Sequence, residues 1–217
     1  MPGTPEFANR AEAGRRLGAR LEDFRDRDCV VLALPRGGVP VAAEIAAALS
    51  LPLDLMLVRK IGAPGNPEIA VGAIADGAAP QVLMNEGLPR RLRPSASYVS
   101  EQIELLTQEI ARRRQLYTAD RAPVPIKGKT VILVDDGVAT GATIRVGLQA
   151  LARSGAAEIV IAVPVAPAAL VRQLREQAAA VQCLVAPDDF RAVGLHYVDF
   201  HQVTDDEVVS LMRKARS

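Results

Sequence analysis

Apolar positions along the chain repeat with two different periods, and the alternation between them sets out a fold. Leu17, Leu21 and Phe24 share one face of a segment that Asn9 can cap, which predicts a helix from there to about Phe24. The run CVVLAL, residues 29–34, is continuous and apolar over the length of a buried strand. It breaks at PRGGVP, and helical spacing resumes in VAAEIAAAL, residues 41–49. LDLMLV, residues 53–58, predicts a second strand. The Gly- and Pro-rich RKIGAPGNPEIAVGAIADG that follows has the composition of a mobile functional loop or a β-hairpin excursion. Residues 95–120 predict a long, charged, amphipathic helix.

Beyond residue 129 the pattern becomes strictly alternate. TVILVDD predicts a strand, ATIRVGLQALARSG a helix closed by Gly155, EIVIAVPV a strand, APAALVRQLREQAA a helix and VQCLVA a strand. Apolar strands alternating with amphipathic helices imply an α/β fold whose mostly parallel, doubly wound sheet is covered on both faces. The expected organisation is a core over 25–185, with a loop at about 60–76 and the long helix at about 95–120. A small cap over 1–24 and 186–217 completes it, with a last helix from about Asp205.

Composition narrows the possible functions. The chain has 217 residues, 49% of them apolar, enough for one substantial core. A formal net charge of +1 supplies no field favouring nucleic acid or an anionic membrane, so charge recognition must be local. MPGTPEFANR lacks the basic-then-apolar run of a secretory signal, and no apolar segment approaches membrane-spanning length; the expectation is a cytoplasmic protein. Cys29 and Cys183 sit at apolar, strand-like positions away from any CxxC spacing, which predicts buried thiols. His196 and His201 are the two histidines, too few for a typical zinc enzyme.

Chemistry concentrates in VILVDDGVATGAT, residues 131–143, where two acids precede a turn of Gly, Ala and Thr at the carboxyl end of a predicted strand. Such strand ends are where ligands bind in parallel sheets. The free N–H groups of a turn that opens a helix, with the Thr140 and Thr143 hydroxyls, suit a phosphate. Asp135 and Asp136 would repel that phosphate by about 4 kcal/mol per charge pair at 4 Å where the effective dielectric is near 20. They are better matched to the two hydroxyls of a ribose or to a nearby magnesium ion. A phosphorylated sugar satisfies both halves of the string. It is not GxxxxGK[ST], because no Lys precedes Thr143, and it is not GxGxxG. A receiver domain carries its acid pair near the start of the chain.

The string closely resembles the PRPP-binding motif of the type I phosphoribosyltransferases. Carried over by position, the resemblance makes Asp135 and Asp136 the ribose ligands and assigns the 5′-phosphate to Gly137, Val138, Ala139, Thr140, Gly141, Ala142 and Thr143. ALPRGGVPVAAEIA resembles the family's pyrophosphate loop, with Arg36, Gly37 and Gly38 at its centre. A non-proline cis peptide is common in that loop, and Arg36–Gly37 is the bond the resemblance implies. LMLVRKIGAPG resembles the segment entering the family's flexible catalytic loop, so Arg59 and Lys60 would meet the pyrophosphate.

The implied reaction is displacement at the anomeric carbon of PRPP by a ring nitrogen of a base, purine-like rather than pyrimidine, with release of pyrophosphate, or its reverse. Mg2+ on the pyrophosphate, with Arg36, Arg59 and Lys60, would neutralise the departing charge, and Asp136 would act beside them. The loop 62–72 would close and exclude water; Glu68, its ionisable group, has no assigned role. Ala139 stands where hypoxanthine-type members carry an acid. The tail PDDFRAVGLHYVDF resembles the cap of those members, which would give Phe190 to base stacking and Asp199, with Asp136, to the metal. Its spacing to Asp199 is one residue long by that comparison, and packing of the cap accounts equally for Phe190, Tyr197 and Phe200. Family members are commonly dimers, so a homodimer is expected. The competing reading is a PRPP- or nucleotide-sensing regulator of the same fold. The 28 residues before the first predicted strand are too few for a winged helix, and no basic, aromatic-interleaved surface is legible. A phosphatase using the same acids lacks an evident nucleophile.

Overall fold

The computed structural model describes residues 5–77, 80–85, 87, 89, 94–119 and 121–215. Its centre is a five-stranded parallel sheet of β1 (Cys29–Ala33), β2 (Leu53–Leu55), β6 (Thr130–Val134), β7 (Glu158–Val165) and β8 (Ala180–Val185), in the order β2-β1-β6-β7-β8. Strand alternation divides the core in two. Val31, Ala33, Ile132, Val134, Val160 and Ala162 face α1 (Arg10–Arg20), α2 (Gly38–Leu49) and α6 (Asp205–Lys214). Val30, Leu32, Val131, Leu133, Ile161 and Val163 face α4 (Ala142–Arg153) and α5 (Ala168–Arg175). Both faces are dry, which is why these strands read as continuous apolar runs.

Local chemistry explains most boundaries. Asn9 caps α1 by accepting a bond from the Glu12 N–H at 2.9 Å, but the helix stops at Arg20 and a short 3-10 turn carries the chain through Phe24. Helix α2 begins at Gly38 rather than at Val41, because Pro40 falls in the first turn, where its missing N–H has no helical partner to lose. Ser95 caps α3 (Ala96–Thr118); Asp120, its expected last residue, lies outside the described residues. Thr204 and Glu207 form a reciprocal capping box at the start of α6. Helix α1 packs on the main core through Leu17, with Leu21 just past its end, and residues near 5–9 and 186–204, referred to below as the cap, are joined by a bridge between Phe7 and Tyr197. Cys29 is buried and Cys183 part-buried, both as free thiols.

The expected strand over residues 53–58 divides. Strand β2 ends at Leu55, and Val58 starts a separate antiparallel sheet of β3 (Val58–Ala63), β4 (Asn66–Ala75) and β5 (Gln81–Met84). Of the two forms open to the Gly-rich segment, a hairpin excursion is what forms. Its root is fixed by a buried cluster: Arg114 on α3 holds Asp54 at 3.1 Å and Asp76 at 2.6 Å, and Asp76 accepts the Leu57 N–H at 2.7 Å. Further along, the Tyr98 hydroxyl donates to the Gly62 carbonyl at 3.0 Å. The side chain of Glu68 lies outside the described residues.

Candidate functional site

In this strand order the chain leaves β1 toward β2 on one side and β6 toward β7 on the other, so a crevice opens between the carboxyl ends of β1 and β6. The Leu34 N–H donates to the Val134 carbonyl at 2.9 Å, and past that bond two loops emerge side by side: residues 35–38 and residues 135–141. They touch at Gly37, where a Cβ would lie 2.1 Å from Asp136 Oδ2. A non-proline cis peptide is present in the first loop, at Pro35–Arg36 and not at Arg36–Gly37, one residue earlier than the resemblance implied.

The second loop turns through Gly137 at φ +155° and Gly141 at φ +76°, and α4 starts at Ala142. Val138 is the floor of this turn. Its side chain is buried and its N–H is donated to the Val165 carbonyl at 2.9 Å, which removes it from the set of amides an anion could meet. Ala139, Thr140, Ala142 and Thr143 are exposed, with the Ala142 N–H 3.4 Å from Thr140 Oγ1, so a cradle for an anion would run from Ala139 to Thr143. Arg145 holds the turn from outside by donating to the Thr140 carbonyl at 3.1 Å and to Gln173 at 2.7 Å. An open helix N-terminus with a glycine entry can receive a phosphate.

The acids before that turn are held in two ways. Asp135 Oδ1 accepts the Asp136 N–H at 2.9 Å. Burial, then the Asp136 charge, pushes the Asp135 carboxyl well above the usual carboxylate range. Burial pushes Asp136 up too, opposed by Arg10, whose Nε donates to Asp136 Oδ2 at 2.7 Å. Arg10 is 7% exposed, donates also to the His201 carbonyl at 2.8 Å, and lies over the Phe200 ring with its guanidinium carbon 3.9 Å from the centroid. The Tyr197 hydroxyl donates to the Asp136 carbonyl at 2.6 Å, and burial raises its own pKa. One oxygen of Asp135 is thus engaged by the Asp136 N–H and one of Asp136 by Arg10, and the two carboxyl groups also interact with each other.

The basic residues do not converge as one group. Arg36 Nη1 is 3.4 Å from Asp205 Oδ1 on α6, and the same oxygen accepts the Tyr117 hydroxyl at 2.6 Å. Arg59 and Lys60 are neighbours in β3, so their side chains leave on opposite faces. Arg59 is turned toward α3: burial and then the nearby Arg113 lower its pKa, while Glu109 and Tyr117 raise it. Lys60 lines a cleft of about 660 Å3 between the hairpin and α4, opposite Thr143, Arg145, Gln149 and Arg153. Lys60 therefore shares a wall with the end of the phosphate-type turn, and Arg59 shares one with Tyr117, which bonds the acid that pairs with Arg36.

In the cap, Phe190 stacks on His196 with ring centroids 5.7 Å apart at 13° and packs on the cluster of Phe7, Tyr197 and Phe200. The Asp199 carboxylate is 3.0 Å from His201 Nδ1, and His201 Nε2 is 2.9 Å from Glu207. Asp199 is thus paired with a histidine. Among the described residues no group of three or more His, Cys, Asp or Glu could hold a metal ion. Sequence reasoning gave no side-chain role to Arg10, or to Asp205, which it read only as a helix start. Arg10 follows a recognisable N-cap, which marks a helix start and says nothing about a partner 126 positions away.

The chain is similar to proteins of one family. Residues 8–200 match the family described as "Phosphoribosyl transferase domain". Two Mycobacterium tuberculosis proteins, from strains CDC 1551 and H37Rv, are each 40% identical over 211 residues; the second bears the name "Putative phosphoribosyl transferase Rv0571c". The match takes in 96% of this chain and 47% of each relative, so the chain spans about half the length of the curated relatives it matches. The crystal structure of TT1426 from Thermus thermophilus superposes with a TM-score of 0.81 at 40% identity, covering 96% of this chain and 98% of that one. Among the described residues no helix is long and apolar enough to cross a membrane.

Proposed function

The chain belongs to the phosphoribosyl transferase domain family, and on that premise we propose that it transfers the 5-phosphoribosyl group of PRPP to a nitrogenous base, purine-like rather than pyrimidine, with release of pyrophosphate, or catalyses the reverse. The observation that carries this reading is the adjacency of the exposed turn from Ala139 to Thr143, which opens α4, with the carboxyls of Asp135 and Asp136 at the same strand end. The cradle receives the 5′-phosphate, and Asp135 and Asp136 accept the ribose hydroxyls. That places the anomeric carbon toward the loop 35–38, with the diphosphate near Arg36, Gly37 and Gly38. Mg2+ would be held chiefly by the diphosphate with Asp136 alongside, a hard cation suited to oxygen ligands, and would neutralise the charge that gathers on the leaving group. Arg36, Arg59 and Lys60 add positive charge there, the last two from opposite faces of the hairpin, which would bend over the crevice to exclude water. Phe190 is the aromatic surface available to a base, provided that His196 yields its place. A cytoplasmic homodimer is part of the same proposal.

The direct test is calorimetric titration with PRPP and Mg2+, followed by a pyrophosphate-release screen against purines, pyrimidines and orotate. Replacing Asp135 and Asp136 together by Asn should weaken PRPP binding by at least about 100-fold, since both carboxyl partners of the ribose hydroxyls are lost. Undiminished affinity in that variant would remove the basis of the proposal. Tight PRPP binding with no pyrophosphate release against any acceptor would favour a sensing protein over an enzyme.

A further inference from the structure

Arg10 is a buried cation whose partner is an acid of the signature string, and no local pattern singles it out. Its guanidinium is committed on three sides: to Asp136 Oδ2 at 2.7 Å, to the His201 carbonyl at 2.8 Å and to the face of Phe200. Two of those partners come from the cap and the third from the strand end. A cation that only neutralised the acids would not need this fixation. Its effect is geometric: with Oδ2 engaged and the Asp136 backbone carbonyl held by Tyr197, the carboxylate cannot rotate, and its other oxygen keeps one direction. The same carboxylate occupies the space that a Cβ at position 37 would fill, so only glycine fits beside it.

We propose that Arg10 is a positioning residue for the sugar: by fixing Asp136 and cancelling one of the two adjacent negative charges, it makes the acid pair select a cis-diol that already carries a phosphate nearby. This rests on the reading of the site as a phosphoribosyl site. The role is one of ground-state recognition, so loss of Arg10 raises KM for PRPP far more than it lowers kcat. Arg10→Lys restores the charge and only part of the recognition, because an ammonium cannot bond Asp136 and the His201 carbonyl in the planar fork that also stacks on Phe200.

The test uses three simple probes on the full chain: ribose 5-phosphate, 2-deoxyribose 5-phosphate and inorganic phosphate, each titrated into wild type and Arg10→Met. Wild type should prefer the ribose compound to its deoxy analogue by about 10-fold or more, the effect of one charged hydrogen bond. In Arg10→Met that preference should collapse to within about 2-fold while inorganic phosphate binds as before, because the cradle is untouched. If Arg10→Met does not fold, Arg10→Gln removes the charge and the planar fork that spans Asp136, the His201 carbonyl and Phe200, and the same loss of preference is expected. A wild type that fails to discriminate the two sugars overturns the phosphoribosyl reading itself. A wild type that discriminates, with a variant that does so equally well, overturns only the role given to Arg10.

Discussion

The turn over residues 137–143 and the clamp around Asp136 lie side by side, yet they are assembled in opposite ways. The turn is one continuous stretch. Its shape follows from Gly137 and Gly141 at positive φ, one buried Val side chain and the start of α4, all within seven residues. The clamp draws Arg10 from α1, Gly37 from the loop after β1, and Tyr197, Phe200 and His201 from the cap. An anion cradle needs backbone amides, which any sequence provides once the chain is bent correctly. Orienting a carboxylate needs a cation and walls, which must come from elsewhere because neighbours in a strand point away from one another.

The contrast can be broken by substitutions of graded severity. Gly137→Ala should have the largest effect, because φ +155° is a conformation left almost wholly to glycine and the new Cβ would lie 2.4 Å from Val193 Cγ1. Strain and overpacking together should cost about 2–4 kcal/mol in urea unfolding and abolish phosphate binding. An unchanged unfolding midpoint would mean that the turn is not held as described. Gly37→Ala comes next: its Cβ collides with Asp136 Oδ2, which should cost about 1–3 kcal/mol and weaken PRPP at least about 10-fold with inorganic phosphate little affected. Equal weakening of both ligands would show that clamp and cradle are not separable. Tyr197→Phe removes one buried bond to the Asp136 carbonyl and should cost about 1 kcal/mol, read as a lower thermal midpoint together with a smaller loss of PRPP affinity.

The smallest effect concerns a residue that belongs to neither region. Glu109 on α3 is bonded by Arg112 and Arg113, which lower its pKa from 4.5 to about 2. A carboxyl lowered in the folded state adds stability that is present above its ordinary pKa and lost as the pH falls toward 2. The pair is solvated, so Glu109→Gln should cost only a few tenths of a kcal/mol at pH 7. That difference should shrink between pH 5 and pH 2 in thermal melts run across the range. A difference that persists at pH 2 would assign the effect to something other than the charge.

Much of this arrangement was legible from residue order. The alternation after residue 129 reproduces β6 to β8 with α4 and α5 between them, because strands buried on both faces and helices buried on one leave distinct periods. The division of residues 53–58 between two sheets was not legible: LDLMLV is apolar throughout except for Asp54, and the break depends on Asp76 and Arg114, far along the chain, taking the bonds at its centre. Arg59 and Lys60 were legible as a basic pair, but their separation onto two faces required knowing that they lie within a strand.

Residue order alone settles the parallel sheet, the position of the acid pair at a strand end and the bend of the turn behind it, since each depends on the side-chain period or backbone freedom of adjacent residues. Long-range packing was needed to bring Arg10 against Asp136, to give the Val138 amide to β7 instead of to a ligand, and to pair Asp199 with His201. Those outcomes depend on which surfaces meet when the segments around Phe7–Arg10 and Tyr197–His201 pack together beside Asp136. Contact between residues far apart in the chain is set by packing of the whole core, and no local period encodes it.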